Sequence, residues 1–322
     1  MLIHNTENGE LFIFNAPLSK CEIFNNFNSE TFTIKKAINI LHEFNKVYYH
    51  NADSIFIFHK RTGRFKIIDI NGHLVDSFLV PLIINNTPFS IYYNSSHNII
   101  YHNHILDLTV FPVVSLNDFY NFPIEIQFDL ITQKILSHHL KFPDNYIVGR
   151  EWGGIGRSNA KCLGHNGAIV HSFSVFQPFL TIRNSKIKLE KIKTSKYLMS
   201  FPPEYYIDSM SNDSKYVFGY AATIGYYSDF FFDKYRNYYC RLVAHKNEID
   251  RLTGVVPDYL DRNWSIMLFD HNFKFLGETF FEGGKYDFHH LLFTEQGLWV
   301  LSKNIQKINE DYLYTYHLMT YN

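Results

Sequence analysis

The chain has 322 residues, 46% hydrophobic and 19% charged, a balance that excludes intrinsic disorder and supplies ample material for a core. Lys and Arg number 30 against 31 Asp and Glu, a net charge of −1, which argues against a general binder of the nucleic-acid backbone. Aromatic residues make up 18%, with 31 Phe and 23 Tyr, and both types favour the pleated surface of a strand.

From the N-terminus, MLIHNTENGELFIFNAP lacks the basic-then-apolar order of a signal peptide. KCEIF (20–24) and TFTIK (31–35) read as strands around Asn25-Asn26. Residues 33–44 are the best helical stretch and read equally as a strand plus a connection. SIFIFH (54–59), RFKIIDI (64–70) and HLVDSFLV (73–80) form the clearest run of strands, with Asn71-Gly72 predicting a type I′ turn and Pro81 a stop. The pattern recurs at 125–130 and 134–140, at 180–183 and 186–193 around Asn184-Ser185, and at 265–270 and 273–280 around His271-Asn272. Residues 312–318 read as one last strand. Residues 216–220 and 238–243 carry further strand patterns.

The middles of the first strand of each pair fall near 23, 67, 126, 181, 267 and 314. Most intervals are about 44 to 59 residues, close to the period of a propeller blade, and one is about 86. That interval is either one blade with two long insertions or a blade plus extra strands. The expected fold is all-β: a six-bladed β-propeller over 1–322 as a single domain, its ring closed by an N-terminal strand that hides the sheet edges. A sandwich or barrel is the alternative, but it leaves the repeat unexplained. No run approaches the roughly 20 apolar residues of a membrane-spanning helix. Cys21, Cys162 and Cys240 are too few and scattered for a disulfide framework, and with no CxxC they read as buried free thiols.

DKYRNYYCRLV (233–243), WSIMLFDHNFKFLGE (264–278) and TEQGLWV (294–300) resemble the C-terminal half of an uncharacterised bacterial family. Its members are six-bladed, TolB-like β-propellers, typically envelope lipoproteins of unknown function. NADSIFIF (51–58) and IDINGHLV (68–75) are similar to the same family's second blade. The resemblance implies a fold and a place at the cell envelope. It carries no catalytic residues, and the lipoprotein leader is not in this sequence.

Function in such a fold is expected on the long loops between outer and next inner strands and between second and third strands, which open on one face. The long insertions are 103–123, 141–159, 194–213 and 245–263. The segment 146–159 holds Tyr146, Arg150, Trp152 and Arg157 among four glycines, which suits a carboxylate or phosphate grip with an aromatic platform, or else a flexible connector. The segment 245–263 adds Asp250, Arg251, Asp258, Tyr259, Asp261, Arg262, and then Trp264. These carboxylates serve acid–base work or a cation, or are solvated loop charges. Seventeen histidines raise the question of metal, but the pairs His138-His139 and His289-His290 point to opposite strand faces. His102 and His104 share a face yet give two ligands only, so neither metal nor cofactor is expected. The first reading is a non-catalytic binding propeller for a peptide, glycan or protein partner at the channel mouth, without nucleic acid. A hydrolase or lyase built from several blades, and a ligand-free scaffold, are the alternatives.

Overall fold

The computed structural model describes residues 2–5, 11–15, 20–24, 34–39, 44, 46–92, 99–137, 140–143, 150–151, 159–183, 186–198, 205–206, 224–247, 261–304, 306–308, 311–313 and 315–320. The chain divides into two compact units, 1–142 and 143–322. It is all-β with a β-propeller type of arrangement: successive antiparallel meanders in which most strands pair with their chain neighbours.

In the first unit, β1 (Leu2–Asn5), β2 (Leu11–Asn15), β3 (Lys20–Phe24) and β4 (Ile34–Asn39) make the first sheet. The second comprises β5 (Lys46–Asn51), β6 (Ser54–His59), β7 (Arg64–Ile68) and β8 (Leu74–Leu79). The third holds β9 (Ile83–Ile84), β10 (Thr87–Ile91), β11 (Ile100–His102), β12 (Ile105–Pro112), β13 (Glu125–Asp129) and β14 (Lys134–Ser137). There β10 and β11 share one side of the long β12. In the second unit, β15 (Arg150–Glu151) and β20 (Tyr205–Tyr206) form a small ladder. The fourth sheet is β16 (Asn159–Leu163), β17 (Ile169–Phe173), β18 (Phe179–Arg183) and β19 (Lys186–Glu190). The fifth is β21 (Tyr226–Asp233), β22 (Tyr238–Ala244), β23 (Trp264–Phe269) and β24 (Phe275–Phe281). The sixth has three strands, β25 (Tyr286–Phe293), β26 (Leu298–Ser302) and β29 (Tyr316–Met319), with the hairpin of β27 (Gln306–Ile308) and β28 (Asp311–Leu313) set between the last two.

Five sheets therefore have four strands or more among the described residues, against the six blades expected. The stretch 312–318 is not one strand: the chain breaks between β28 and β29, and only β29 joins β26. The N-terminal strand β1 pairs with β2 in the first sheet. The repeat itself is met closely. The positions near 23, 67, 126, 181 and 267 fall in β3, β7, β13, β18 and β23, the next-to-last strands of five successive sheets, and 314 lies outside the described residues.

Burial falls from the early strands of a sheet to the last. Ile55–Phe58 of β6 are all buried, whereas β8 buries Phe78 alone. In the fourth sheet every residue of β17 is buried, and Lys186–Leu189 of β19 are exposed. The aromatics pack between sheets. Phe58, Phe65, Phe78 and Phe128 stack in a column with ring centroids 4.8, 5.0 and 5.7 Å apart. In the second unit, Phe179 of the fourth sheet meets Phe230 and Phe269 of the fifth. Each such side chain contributes roughly 1.5–3 kcal/mol by leaving water.

Aspartates organise several hairpins. The Asp69 carboxylate accepts the backbone N–H groups of Asn71 and His73 at 2.7 and 2.8 Å, and Asp270 accepts those of Asn272 and Lys274 at 2.9 and 2.8 Å. In both turns the residue three places on takes positive φ: Gly72 at 83° and Phe273 at 64°. Partial desolvation raises the Asp69 carboxyl, but hydrogen bonds from His73 and Asn71 outweigh it and hold the group down at about 2. The expected type I′ turn at Asn71-Gly72 does not form, because the aspartate fixes a longer loop. The paired positive φ of that turn type occurs at Asn85-Asn86 and Asn103-His104. His104 thus sits in a turn and shares no strand face with His102, whose Nε2 is 2.7 Å from the buried Asp107 carboxylate.

Candidate functional site

Alternation of strand direction puts two kinds of connection at opposite ends of each sheet. In the second unit, the loops after β17, β19, β22 and β24 lie at one end of their sheets, and the tight hairpins β16–β17, β18–β19 and β23–β24 at the other.

At the loop end, buried polar groups fix the connections. Arg241, on β22, is fully buried. Its guanidinium lies 3.3 Å from the Tyr227 ring centroid and 4.9 Å from that of Phe179. It donates to the carbonyls of Phe173, Phe176 and Gln177 in the β17–β18 loop. Glu278, on β24, accepts the Ser195 hydroxyl and the backbone N–H of Lys196, which pins the segment after β19. His245 donates its backbone N–H to Asn263 at 3.0 Å and so closes the base of the loop 245–263.

His245, Ser265 and Glu278 have the residue types of a catalytic triad in the wrong order. The Ser265 hydroxyl donates to Glu278 Oε1 at 2.7 Å, and Ser265 Oγ lies 3.0 Å from His245 Nε2. With its one proton committed to Glu278, the serine can only accept from the imidazole, so Nε2 carries a hydrogen and offers no lone pair as a base. Burial pulls the His245 imidazole down to about 4. The Glu278 carboxylate opposes this and Arg262 adds to it. The imidazole is therefore neutral at pH 7.

Of the residues expected to make a binding surface, Trp264 and Arg262 are fully buried. Trp264 stacks on Phe281 at 4.0 Å with 7° between planes, inside the packing of the fifth sheet against the sixth. Arg262 donates to the carbonyl of Ile224 at 3.2 Å and lies over the Tyr226 ring at 5.3 Å. Both hold the scaffold and neither presents a face to solvent. Arg150 lies on β15. Tyr146, Trp152, Arg157, Asp258 and Tyr259 lie outside the described residues. Among the described residues no three His, Cys, Asp or Glu side chains gather as metal ligands, and no helix is long and apolar enough to cross a membrane.

The hairpin end holds a cleft of about 800 Å³ between the fourth and fifth sheets. Its walls come from the β16–β17 turn, the β18–β19 hairpin and the β23–β24 turn, with Tyr239 of β22 among the lining residues. The sequence marked 184–185 and 271–272 only as turns. That both hairpins bound one cleft depends on how neighbouring sheets stack, which no local pattern records.

Residues 39–280 match a domain of unknown function, DUF4221. The chain belongs to the DUF4221 family. The expected membership of an uncharacterised family is met at that level. A crystal structure of a family member from Bacteroides vulgatus superposes with a TM-score of 0.75 at 17% identity, over 99% of this chain and 93% of that one, which shows a shared fold. More remote are an exported protein from Bacteroides fragilis (TM-score 0.48, 12% identity, 94% of this chain and 78% of that one) and virginiamycin B lyase from Staphylococcus aureus (0.44, 9%, 99% and 84%). No curated protein matches the sequence.

Proposed function

We propose that this DUF4221 chain is a non-catalytic binding domain whose loop end recognises a peptide, glycan or protein partner. The observation that carries the reading is the His245–Ser265–Glu278 arrangement. The groups best suited to proton transfer have their protons ordered against it, and they tie the loops down instead. Connections held this way are pre-organised, which lowers the ordering cost of binding. The contact residues in this reading are Tyr146, Arg150, Trp152, Arg157, Asp258 and Tyr259. The partner is met at the bacterial cell envelope, as the resemblance to envelope lipoproteins implies.

Immobilised glycan and peptide libraries probed with the full chain test this. A ligand is expected whose affinity falls about tenfold or more in Trp152→Ala or Tyr259→Ala, since aromatic anchors dominate interfaces. The ligand's mass is expected to be unchanged after prolonged incubation. Turnover of the ligand, or indifference to both substitutions, overturns the reading.

A further inference from the structure

The hairpin-end cleft is separate from the loop end, and its lining has a marked chemical bias. Arg183 and Lys186 flank the β18–β19 turn, and both are exposed. Among the described residues neither forms an ion pair. The carboxylate of the lining, Glu190, sits 2.8 Å from Lys188 and accepts from Thr181 Oγ1 at 3.5 Å, so its charge is locally neutralised. Two cations remain uncompensated.

The remaining polar groups add donors. The Tyr239 hydroxyl oxygen accepts the backbone N–H of His165 at 3.1 Å and retains its own proton. Burial, with the nearby Cys162 adding to it, pushes this phenol up to about 12, so it stays a donor through the physiological range. The imidazoles of His165 and His271 both line the cleft, with ring centroids 5.2 Å apart. His271 Nε2 is within 3.0 Å of the Asn272 side-chain amide.

Phe273 supplies an apolar wall at a cost. Its φ of 64° lies in the left-handed region, where the corresponding position of the Asp69 turn has Gly72. A bulky side chain there is strained. The ring packs on Tyr239 at 4.8 Å and borders the cleft beside Ile187. The position keeps an aromatic side chain where the backbone favours none.

We propose that this cleft binds a small organic anion, a carboxylate or phosphate monoester gripped by Arg183 and Lys186, with its apolar body against Phe273 and Ile187. The volume suits a ligand of cofactor or metabolite size rather than a bare inorganic ion. Arg and Lys with a tyrosine hydroxyl form a donor set that complements oxyanions and leaves neutral hydroxyl compounds undistinguished.

Calorimetric titration of the full chain with phenyl phosphate, phenylacetate, benzyl alcohol and inorganic phosphate tests the proposal, with NMR of the His165 and His271 imidazole signals as the locator. One or both organic anions are expected to bind at millimolar concentration or below and to shift both imidazoles, with benzyl alcohol and inorganic phosphate at least about tenfold weaker. Which anion binds more tightly separates a phosphate from a carboxylate source. Arg183→Gln with Lys186→Gln, both at exposed positions, is expected to keep the melting temperature and to weaken the anion about tenfold. The proposal is overturned by equal binding of benzyl alcohol, by equal affinity in the double variant, or by unshifted imidazoles with every probe at its solubility limit.

Discussion

Arg241 is a cation without access to solvent, and it ties the connection after β17 to β22. Its guanidinium lies over the Tyr227 ring, near that of Phe179, and its N–H groups satisfy three loop carbonyls. Arg241→Met keeps much of the volume but strands those carbonyls. A loss of about 3 kcal/mol or more is expected in urea unfolding, and Arg241→Lys recovers only part of it, because an ammonium lacks the planar fork. His245 makes the second residue-scale prediction. Its folded-state imidazole sits near 4, below the ordinary 6.5, so the unfolded chain takes up the proton first as pH falls. Its contribution, up to about 3 kcal/mol, is complete above pH 6.5 and is lost progressively between 6.5 and 4. His245→Gln should flatten that part of a stability-against-pH profile. Residue type alone gave no access to these roles. Arg262 and Trp264 look like surface recognition groups until the fold buries them, and burial of that kind is a property of stacking partners distant in the chain.

At the scale of the element the sequence was more informative, because strands and turns are local. Period-two alternation located β6, β13 and β18 within about a residue or two, as element boundaries allow. It failed where alternation ran on without a turn residue, as at Thr315, and where a carboxylate overrode the usual meaning of Asn-Gly. The aspartate turns are testable. Asp270→Ala releases the N–H groups of Asn272 and Lys274 and should cost about 1 kcal/mol, read from the urea midpoint. Gly63 is a stricter case: at φ 69°, an added Cβ would meet the Val80 carbonyl oxygen at 2.2 Å. Gly63→Ala should lose about 1–3 kcal/mol in the same measurement, since neither backbone can move without breaking the bond from Val80 N–H to the Gly63 carbonyl.

For the whole molecule, the repeat was legible because five sheets use their next-to-last strand in the same way, and the blade count was not, because the sixth sheet interrupts its meander with a hairpin. The candidate cleft was illegible for a related reason: it is made by two sheets, not by one motif. The two compact units carry internal reporters. Cys21 lies in the first unit, Cys162 and Cys240 in the second, and all three are buried and outside any disulfide. Burial, reinforced by Glu22, pushes the Cys21 thiol up to about 12, and burial likewise raises Cys162. No thiol should react with an aromatic disulfide reagent in the native protein, and in urea each should label as its own unit opens, read by peptide mass.

The outward fall of burial across each sheet has a consequence for how the protein behaves in a crowded solution. A net charge of −1 gives molecules almost no long-range repulsion, so colloidal stability rests on short-range features. The exposed last strands, β8 with Leu74, Val75 and Leu79 and β19 with Ile187 and Leu189, are the segments most open to pairing with another chain. Asp76 in β8 and Lys186 and Lys188 in β19 interrupt those apolar edges as gatekeepers. Protection against edge-to-edge pairing is thus local, strand by strand, and rests on a few side chains that contribute little to folding.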